Sequence, residues 1–239
     1  MITWNNFFVT VQCINRIIGS IPLAFDDKDE RLKTYQGWLK GQGVEDSDKF
    51  EKSLAEALVE DNDMPVVEDG SALDEGMING FRRDDKGLYI EARVIKANLR
   101  EAAQRLGIIN MKRGSRQVLQ HDIHVRNKDD DRSQKIYLGR TEPDGFGAMP
   151  ISVMTPKGRR NAIKRFEFVL QPELQFKIRM LAGGQGKNIL SVEDLANMLT
   201  LGGDLGYGAD RSQGEGCYEL VSIEQLDDTT AEATIITQE

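Results

Sequence analysis

The distribution of apolar residues predicts four β-strands in this chain. Residues 6–15 are rich in β-branched and aromatic side chains, which favours a strand that ends before a turn at Gly19. Residues 165–170 and 174–181 mostly alternate between apolar and polar side chains, and the Gln-Pro-Glu between them predicts a hairpin. The alternation returns at residues 217–226 and predicts a last strand.

Apolar side chains at helical spacing predict two helices between these strands. In residues 94–106 the apolar side chains, among them Ile95 and Leu99, recur on one face. Residues 191–201 form a second amphipathic segment. Two further helical patterns, at residues 30–40 and 47–59, lie outside this series of elements.

Without its insertions the chain has the order β-α-β-β-α-β, which predicts an α+β, ferredoxin-like core. The same topology builds the RNA recognition motif, so the core is RRM-like in order, without the aromatic consensus of that motif. We expect residues 7–13, 166–170, 175–181 and 218–223 to form one antiparallel sheet, with helices at 95–106 and 191–201 on one face. The expected domains are a core of 1–23, 79–106 and 164–227, an acidic helical insertion 24–78, a basic β-hairpin insertion 107–163 and a frayed tail 228–239.

Charge is distributed unevenly, which the formal net charge of −8 conceals. Residues 26–76 contain 16 acidic and 6 basic residues, a net of −10, whereas residues 96–165 contain 16 basic and 7 acidic residues, a net of +9. A basic region of this kind is typical of a nucleic-acid contact. No apolar run reaches the roughly 20 residues of a membrane span. Cys13 and Cys217 form no metal pattern and are expected to be reduced, so we expect a cytoplasmic protein without a membrane contact.

A glycine-rich segment, residues 201–216, joins the second predicted helix to the last strand. It contains six glycines. Glycine adopts positive φ readily and allows another backbone to approach, so the segment is either a ligand-contacting loop or a flexible connector. No Gly-Lys-Ser/Thr follows, and the glycines come after a helix rather than after a strand. This excludes a nucleoside-triphosphate P-loop and a dinucleotide fingerprint.

Three of these features together resemble the RAMP superfamily of CRISPR systems, above all the guide-RNA-binding backbone subunits of type I and type III effector complexes. They are the first strand with its Ile18-Gly19 end, the Lys96-x-x-x-Arg100 pair and the loop Gly206-x-Gly-Ala-Asp-Arg-Ser-Gln-Gly-Glu-Gly216. The hairpin expected at 107–163 is similar to the thumb of those subunits. The resemblance implies a noncatalytic subunit that lines single-stranded guide RNA and contacts its paired target. It also implies head-to-tail assembly with copies of itself and contact with other effector subunits.

An RNA-lining role requires cations at phosphates and a flexible backbone close to them. Lys96, Arg100 and Arg211 are the first candidates. The glycine loop adds Gly206, Gly208, Ser212, Gly214 and Gly216, and the basic region adds a second group: Lys112, Arg113, Arg116, Arg159, Arg160, Lys164 and Arg165. Structural alternatives stay open, because Arg211 could pair with Asp204 or Asp210, and residues 157–165 could form a solvated turn.

Two other functions remain open. One is a RAMP-type endoribonuclease that processes or cleaves RNA. The resemblance to target-cleaving subunits points to an aspartate after the first strand, where Asp26 and Asp27 stand in a segment rich in acids. The other is a viral or mobile-element homologue that inserts into a CRISPR complex and inhibits it. We expect no cofactor and no metal, since the chain has only two histidines, His121 and His124.

Overall fold

A computed structural model describes residues 4–60, 78–108, 121–155, 158–181 and 190–226 of the chain. In these residues the fold is mixed α+β, with four helices and three sheets. The chain divides into two compact units. Unit 1 comprises residues 1–16, 89–139 and 171–239, and unit 2 comprises residues 17–88 and 140–170. Each unit contains part of the basic region of the sequence.

The helices and strands follow one another along the chain as follows: β1 (Trp4–Cys13), β2 (Arg16–Ile18), β3 (Ile21–Pro22), α1 (Phe25–Gly41), α2 (Ser47–Glu60), β4 (Ile78–Gly80), β5 (Arg82–Asp84), β6 (Gly87–Glu91), α3 (Ala92–Arg105), β7 (Ile123–Asn127), β8 (Lys135–Tyr137), β9 (Gly145–Thr155), β10 (Gly158–Leu170), β11 (Glu173–Leu181), α4 (Val192–Leu205), a short 3-10 turn (Arg211–Gln213) and β12 (Tyr218–Leu226). All four helices predicted from the sequence are present, with ends shifted by a few residues.

Unit 1 is built on a four-stranded antiparallel sheet in the order β12-β1-β11-β7. One face is apolar because alternate residues of each strand point to it, as in the cross-strand pair Val9 and Phe176. Helix α3 lies between β1 and β7 in the chain, and α4 lies between β11 and β12. The helices pack against each other, α3 also against β7 and α4 also against β12. A capping box between Ser191 and Asp194 starts α4.

One strand of this sheet differs from the sequence prediction. We expected residues 166–170 there, paired with the strand that follows the Gln-Pro-Glu turn. Instead these residues belong to β10 in unit 2, and β7 takes the position beside β11. Strand β10 is long and pairs with β9 from Gly158 to Phe168, and this pairing places residues 166–168 in the sheet of unit 2. The alternation of apolar and polar residues in β10 therefore reflects the two faces of that sheet and not of the sheet in unit 1.

Unit 2 contains a five-stranded sheet in the order β2-β10-β4-β3, with β9 paired to β10. Helices α1 and α2 pack on it through a cluster that includes Tyr35, Leu39 and Phe146. A fully buried carboxylate, Glu167, pairs with Arg83 at 2.9 Å and with Arg31 at 3.2 Å. Burial of a charge requires such partners, so this network is part of the internal structure of the unit.

The division into units differs from the domains expected from the sequence. The helices of the acidic segment and the paired strands β9 and β10 lie together in unit 2, and residues 121–139 of the expected hairpin insertion lie in unit 1. The antiparallel pair starts at Gly145 and extends to Phe168, although residues 164–168 were expected in the core. The tail 228–239 lies outside the described residues. Among the described helices, none combines the length and the apolar character that crossing a membrane requires.

Candidate nucleic-acid interface

Helix α3 is tied to the end of α4 by one buried side chain, Asn98. Its amide nitrogen donates to the carbonyl oxygens of Gly202 at 2.8 Å and Gly206 at 2.9 Å. Its oxygen accepts from the Tyr218 hydroxyl at 3.1 Å. The Gly202 carbonyl also accepts from the Gly206 amide, so Asn98 is a second donor there, and it is a donor to the Gly206 carbonyl just beyond the last residue of α4. The glycine loop therefore begins at a fixed position beside α3.

The far side of the loop also contacts α3, through Arg211. Its guanidinium lies 3.1 Å from the Glu101 carboxylate, which accepts from Arg105 at 3.0 Å as well. Burial acts to raise the pKa of Glu101, but the hydrogen bonds from Arg211 and Arg105 outweigh it, and the pKa is lowered. Arg211 thus pairs with Glu101 on the helix, a partner that was not considered from the sequence. All three side chains of this cluster remain partly exposed.

The loop is further held by two residues that follow β1, Asn15 and Arg16. Arg16 makes a two-pronged contact with Glu215 at 2.6–3.0 Å, and its carbonyl oxygen accepts from the Gly216 amide. The Asn15 side chain donates to the Gly214 carbonyl at 2.8 Å. The segment is therefore an anchored loop and not a loose connector.

Three of the loop glycines considered as RNA contacts, Gly206, Gly214 and Gly216, have backbone amides that are already hydrogen-bonded within the protein. Their amides donate to the carbonyl oxygens of Gly202, Arg211 and Arg16. Gly206 and Gly216 are also buried. Gly208 has a positive φ of 81° and is half-buried. The exposed part of the loop is the turn that carries Arg211, Ser212 and Gly214, so this turn is where a phosphate can reach it.

Lys96 and Arg100 lie one turn apart on α3, as their spacing predicted, but they do not form one compact group with Arg211. Lys96 and Glu101, the partner of Arg211, are five residues apart, which is about 140° around a helix. Lys96 faces the β7 side, where burial and the charge of Arg126 lower its pKa. Arg100 is exposed between these two flanks. The three cations form a track across the outer surface of α3.

The second group of predicted RNA contacts divides into three sets. Lys164 and Arg165 are buried in unit 2, and Arg165 forms an ion pair with the buried Glu51, so neither lies at the surface where RNA would bind. Arg159 and Arg160 lie on β10, and the structure does not describe their side chains. Lys112, Arg113 and Arg116 fall outside the described residues. Of the predicted contacts whose side chains are described, Lys96, Arg100 and the turn at Arg211 are those that reach the surface.

A second basic surface, which the sequence did not reveal, lies on the sheet face opposite the helices. Arg126 and His124 on β7 stand directly across from Lys177 and Arg179 on β11. The Arg179 guanidinium lies 4.6 Å from the centre of the Trp4 ring, and the His124 ring lies 5.4 Å from that centre. The alternation of residues 174–181 places Lys177 and Arg179 on one face of β11. Strand β7 was not recognised as part of this sheet, so its two residues could not be added.

The acidic residues considered for catalysis do not form a recognisable centre. Asp27 is exposed in the first turn of α1, and the side chain of Asp26 is not described. In the described parts of the chain, no three His, Cys, Asp or Glu side chains are grouped closely enough to hold a metal ion. Burial raises the pKa of both cysteine thiols, that of Cys13 to about 12. Such thiols are poor nucleophiles.

Comparisons with known proteins point to a structural likeness. No protein-family model matches the chain, and no curated protein matches its sequence. Among solved structures, the chain is similar to one in the cryo-EM structure of the type III-B Cmr-β complex bound to cognate target RNA. The TM-score is 0.48 with 13% sequence identity, and the match covers 94% of this chain and 61% of the other. The chain thus spans less than two thirds of that protein's length.

Proposed function

We propose that the chain is an RNA-binding, backbone-type subunit of a CRISPR ribonucleoprotein effector, and that unit 1 is its RAMP-type domain. The β-α-β-β-α-β element order of unit 1 and its strand order β12-β1-β11-β7 support a ferredoxin-like fold. The observation that carries the proposal is the joining of two sequence features, since the glycine loop is fastened to the helix that bears Lys96 and Arg100 through Asn98 and Arg211.

The exposed surface of α3 is suited to a phosphate backbone. Lys96, Arg100 and Arg211 follow one another across it, and each is able to contact a different phosphate. Glu101 holds Arg211 in place but is shared with Arg105, so the cluster keeps a net positive charge. Contacts of this kind are independent of base sequence and weaken as salt rises, because binding releases counterions from the RNA.

Assembly belongs to the same proposal. A subunit that lines a long guide RNA contacts the next copy head to tail, and such an interface repeats along the strand. We further propose that other effector subunits and the paired target strand are its partners, and that the protein acts in the cytoplasm. In unit 2, Arg165 of the basic region 96–165 and Glu51 of the acidic region 26–76 form a buried ion pair and are not available to another copy. The remaining surface charges of the two regions would attract adjacent copies to each other.

The direct test is to purify the chain from cells that express a guide RNA and to analyse what accompanies it. We expect bound RNA, and particles in light scattering whose size increases with RNA length. The RNA should stay intact when magnesium or manganese is added. Metal-dependent cutting would favour the ribonuclease alternative. Capture of foreign effector subunits without RNA would favour the inhibitor alternative, and a monomer that binds no RNA would contradict the proposal.

A further inference from the structure

The open face of the unit 1 sheet, the face away from α3 and α4, carries an arrangement that the proposed phosphate track does not use. It brings together a tryptophan, a histidine and three long cations from three strands: Trp4, His124, Arg126, Lys177 and Arg179. Trp4 is half-exposed and Arg179 is exposed. Polar side chains are ordinary on the solvated face of an antiparallel sheet, but a partly exposed tryptophan among cations is not, and it makes this face a candidate for a ligand contact.

The cations on this face repel one another. The pKa of His124 is lowered first by burial and then by the charges of Lys96, Arg126 and Arg179. Among the residues that the structure describes, neither Arg126 nor Arg179 has a carboxylate within ion-pair distance. Lys177 does have a partner, Asp131 at 3.0 Å, but that carboxylate is well exposed on a loop. An anion placed between Arg126, His124 and Arg179 would relieve the repulsion.

The tryptophan adds a requirement that a simple anion does not meet. The Arg179 guanidinium lies over the Trp4 ring at 4.6 Å, and the His124 ring lies beside it at a tilt of 56°. A flat group therefore already occupies one face of Trp4. Base–aromatic stacking is stronger than a cation–π contact at an exposed site, so a nucleobase is able to take the place of the guanidinium. The displaced guanidinium is then able to contact the phosphate of the same nucleotide.

We propose that this sheet face is a base-stacking site for single-stranded RNA, with Trp4 as the stacking platform and Arg126, His124 and Arg179 as its phosphate contacts. An acidic peptide would use the cations but would leave Trp4 without a role. The proposal rests on the RNA-binding function proposed above and extends it from phosphates to bases. Lys96 borders both surfaces, because its charge acts on His124 and it faces Arg126, so one strand can pass from α3 to the sheet.

Fluorescence of Trp4 tests this inference directly. The chain has two tryptophans, and Trp38 packs beside Phe146 in unit 2. Trp38→Phe leaves Trp4 as the single reporter. A short single-stranded RNA is then compared with a sugar-phosphate strand of equal length that has no bases. We expect both strands to bind but only the RNA to quench Trp4.

Three variants and one competing ligand complete the test. Trp4→Leu should weaken RNA binding roughly tenfold and leave binding of the base-free strand unchanged, whereas Trp4→Phe should retain most of the affinity. Arg179→Gln should weaken binding of both strands. If the parent protein binds RNA without quenching, and Trp4→Leu binds as the parent does, the stacking site is refuted while the proposed function stands. Equal quenching by polyglutamate would refute it in favour of an acidic protein partner. If the parent protein binds neither strand, both proposals fail.

Discussion

The side-chain amide of Asn98 donates to the carbonyl oxygen of Gly206 at 2.9 Å, and this contact fixes where the glycine loop starts relative to helix α3. Asn98 is buried, and the same amide also serves Gly202. The basic track on α3 and the exposed turn at Arg211 therefore keep a constant separation. An interface of pre-positioned cations loses less conformational entropy when it binds RNA.

Asn98→Ala should destabilise unit 1 by about 1–3 kcal/mol, because it removes the Asn98 partner of the buried Gly206 carbonyl and of the buried Tyr218 hydroxyl, while the Gly202 carbonyl keeps the Gly206 amide. Urea unfolding measures the change. Asn15→Ala is the matched control, since Asn15 also donates to a loop carbonyl, that of Gly214, but at an exposed position. The control should lose less than about 1 kcal/mol. Equal losses in the two variants would contradict the role proposed for Asn98.

The loop glycines provide a second pair of variants. Gly216 has a φ of 72°, and a Cβ at this position would lie 1.9 Å from the Tyr207 carbonyl oxygen. Gly214 has a similar φ of 82°, but a Cβ there would meet nothing within 4 Å. Gly214→Ala should therefore cost about 1 kcal/mol from backbone strain alone. Gly216→Ala should cost more and disorder the loop, which thermal unfolding and hydrogen exchange would detect. Indistinguishable variants would show that the loop packing is not as described.

Arg165 should behave as a structural residue and not as an RNA contact. Arg165→Ala leaves the buried Glu51 carboxylate unpaired, which typically costs about 3–5 kcal/mol. The double variant Arg165→Met with Glu51→Leu should recover most of that loss, since it removes both charges. Chemical denaturation of the three proteins measures this. A stable Arg165→Ala protein with weak RNA binding would instead identify Arg165 as a phosphate contact.

The pH dependence of RNA binding reports on His124. Its pKa lies below 6.5 in the free protein, and the groups facing it are Lys96, Arg126, Arg179 and the backbone of His121, of which only the last raises its pKa. The unfolded chain therefore binds more protons below pH 6.5, so His124 lowers stability as the pH falls through that value.

Bound phosphates should raise the pKa of His124, because their negative charge favours the protonated imidazole. RNA binding should take up a proton, and affinity should rise as the pH falls below 6.5. Titrations at several pH values measure this, and His124→Gln should flatten the dependence without abolishing binding. A wild-type affinity that is independent of pH would show that the phosphates do not approach His124.

Much of unit 1 could be predicted from sequence, because its signals are local. The spacing of Ile95 and Leu99 identifies α3, and the alternation around Phe176 identifies β11. Pairing is not local. The alternation of residues 166–170 is as regular as that of a core strand, and nothing in it indicates that its partner is β9. The short strand β7 has only five residues, and its place beside β11 is set by tertiary contacts.

The same limit applies to the candidate interface. The spacing of Lys96 and Arg100 is visible in sequence, whereas the partner of Arg211 is Glu101, 110 residues away. Asn98 resembles an ordinary polar helix residue until the C-terminus of α4 is placed beside it. The contact of Trp4 with Arg179 depends on the register between β1 and β11, and one residue of slip would move either side chain to the buried face.

The salt dependence of RNA affinity tests the central claim most directly. Arg100→Gln with Arg211→Gln removes two cations from the α3 surface; glutamine is chosen because a glutamate at 211 would repel Glu101. The control, Lys33→Gln with Lys40→Gln, removes two exposed lysines of α1 and the same total charge. In a plot of log affinity against log salt concentration, the slope for the first variant should become shallower by about 0.7 for each phosphate that it no longer binds. The control should keep the wild-type slope. If the folded Arg100/Arg211 variant binds RNA with the affinity and slope of the wild type, the RNA does not lie on this surface and the central claim is contradicted.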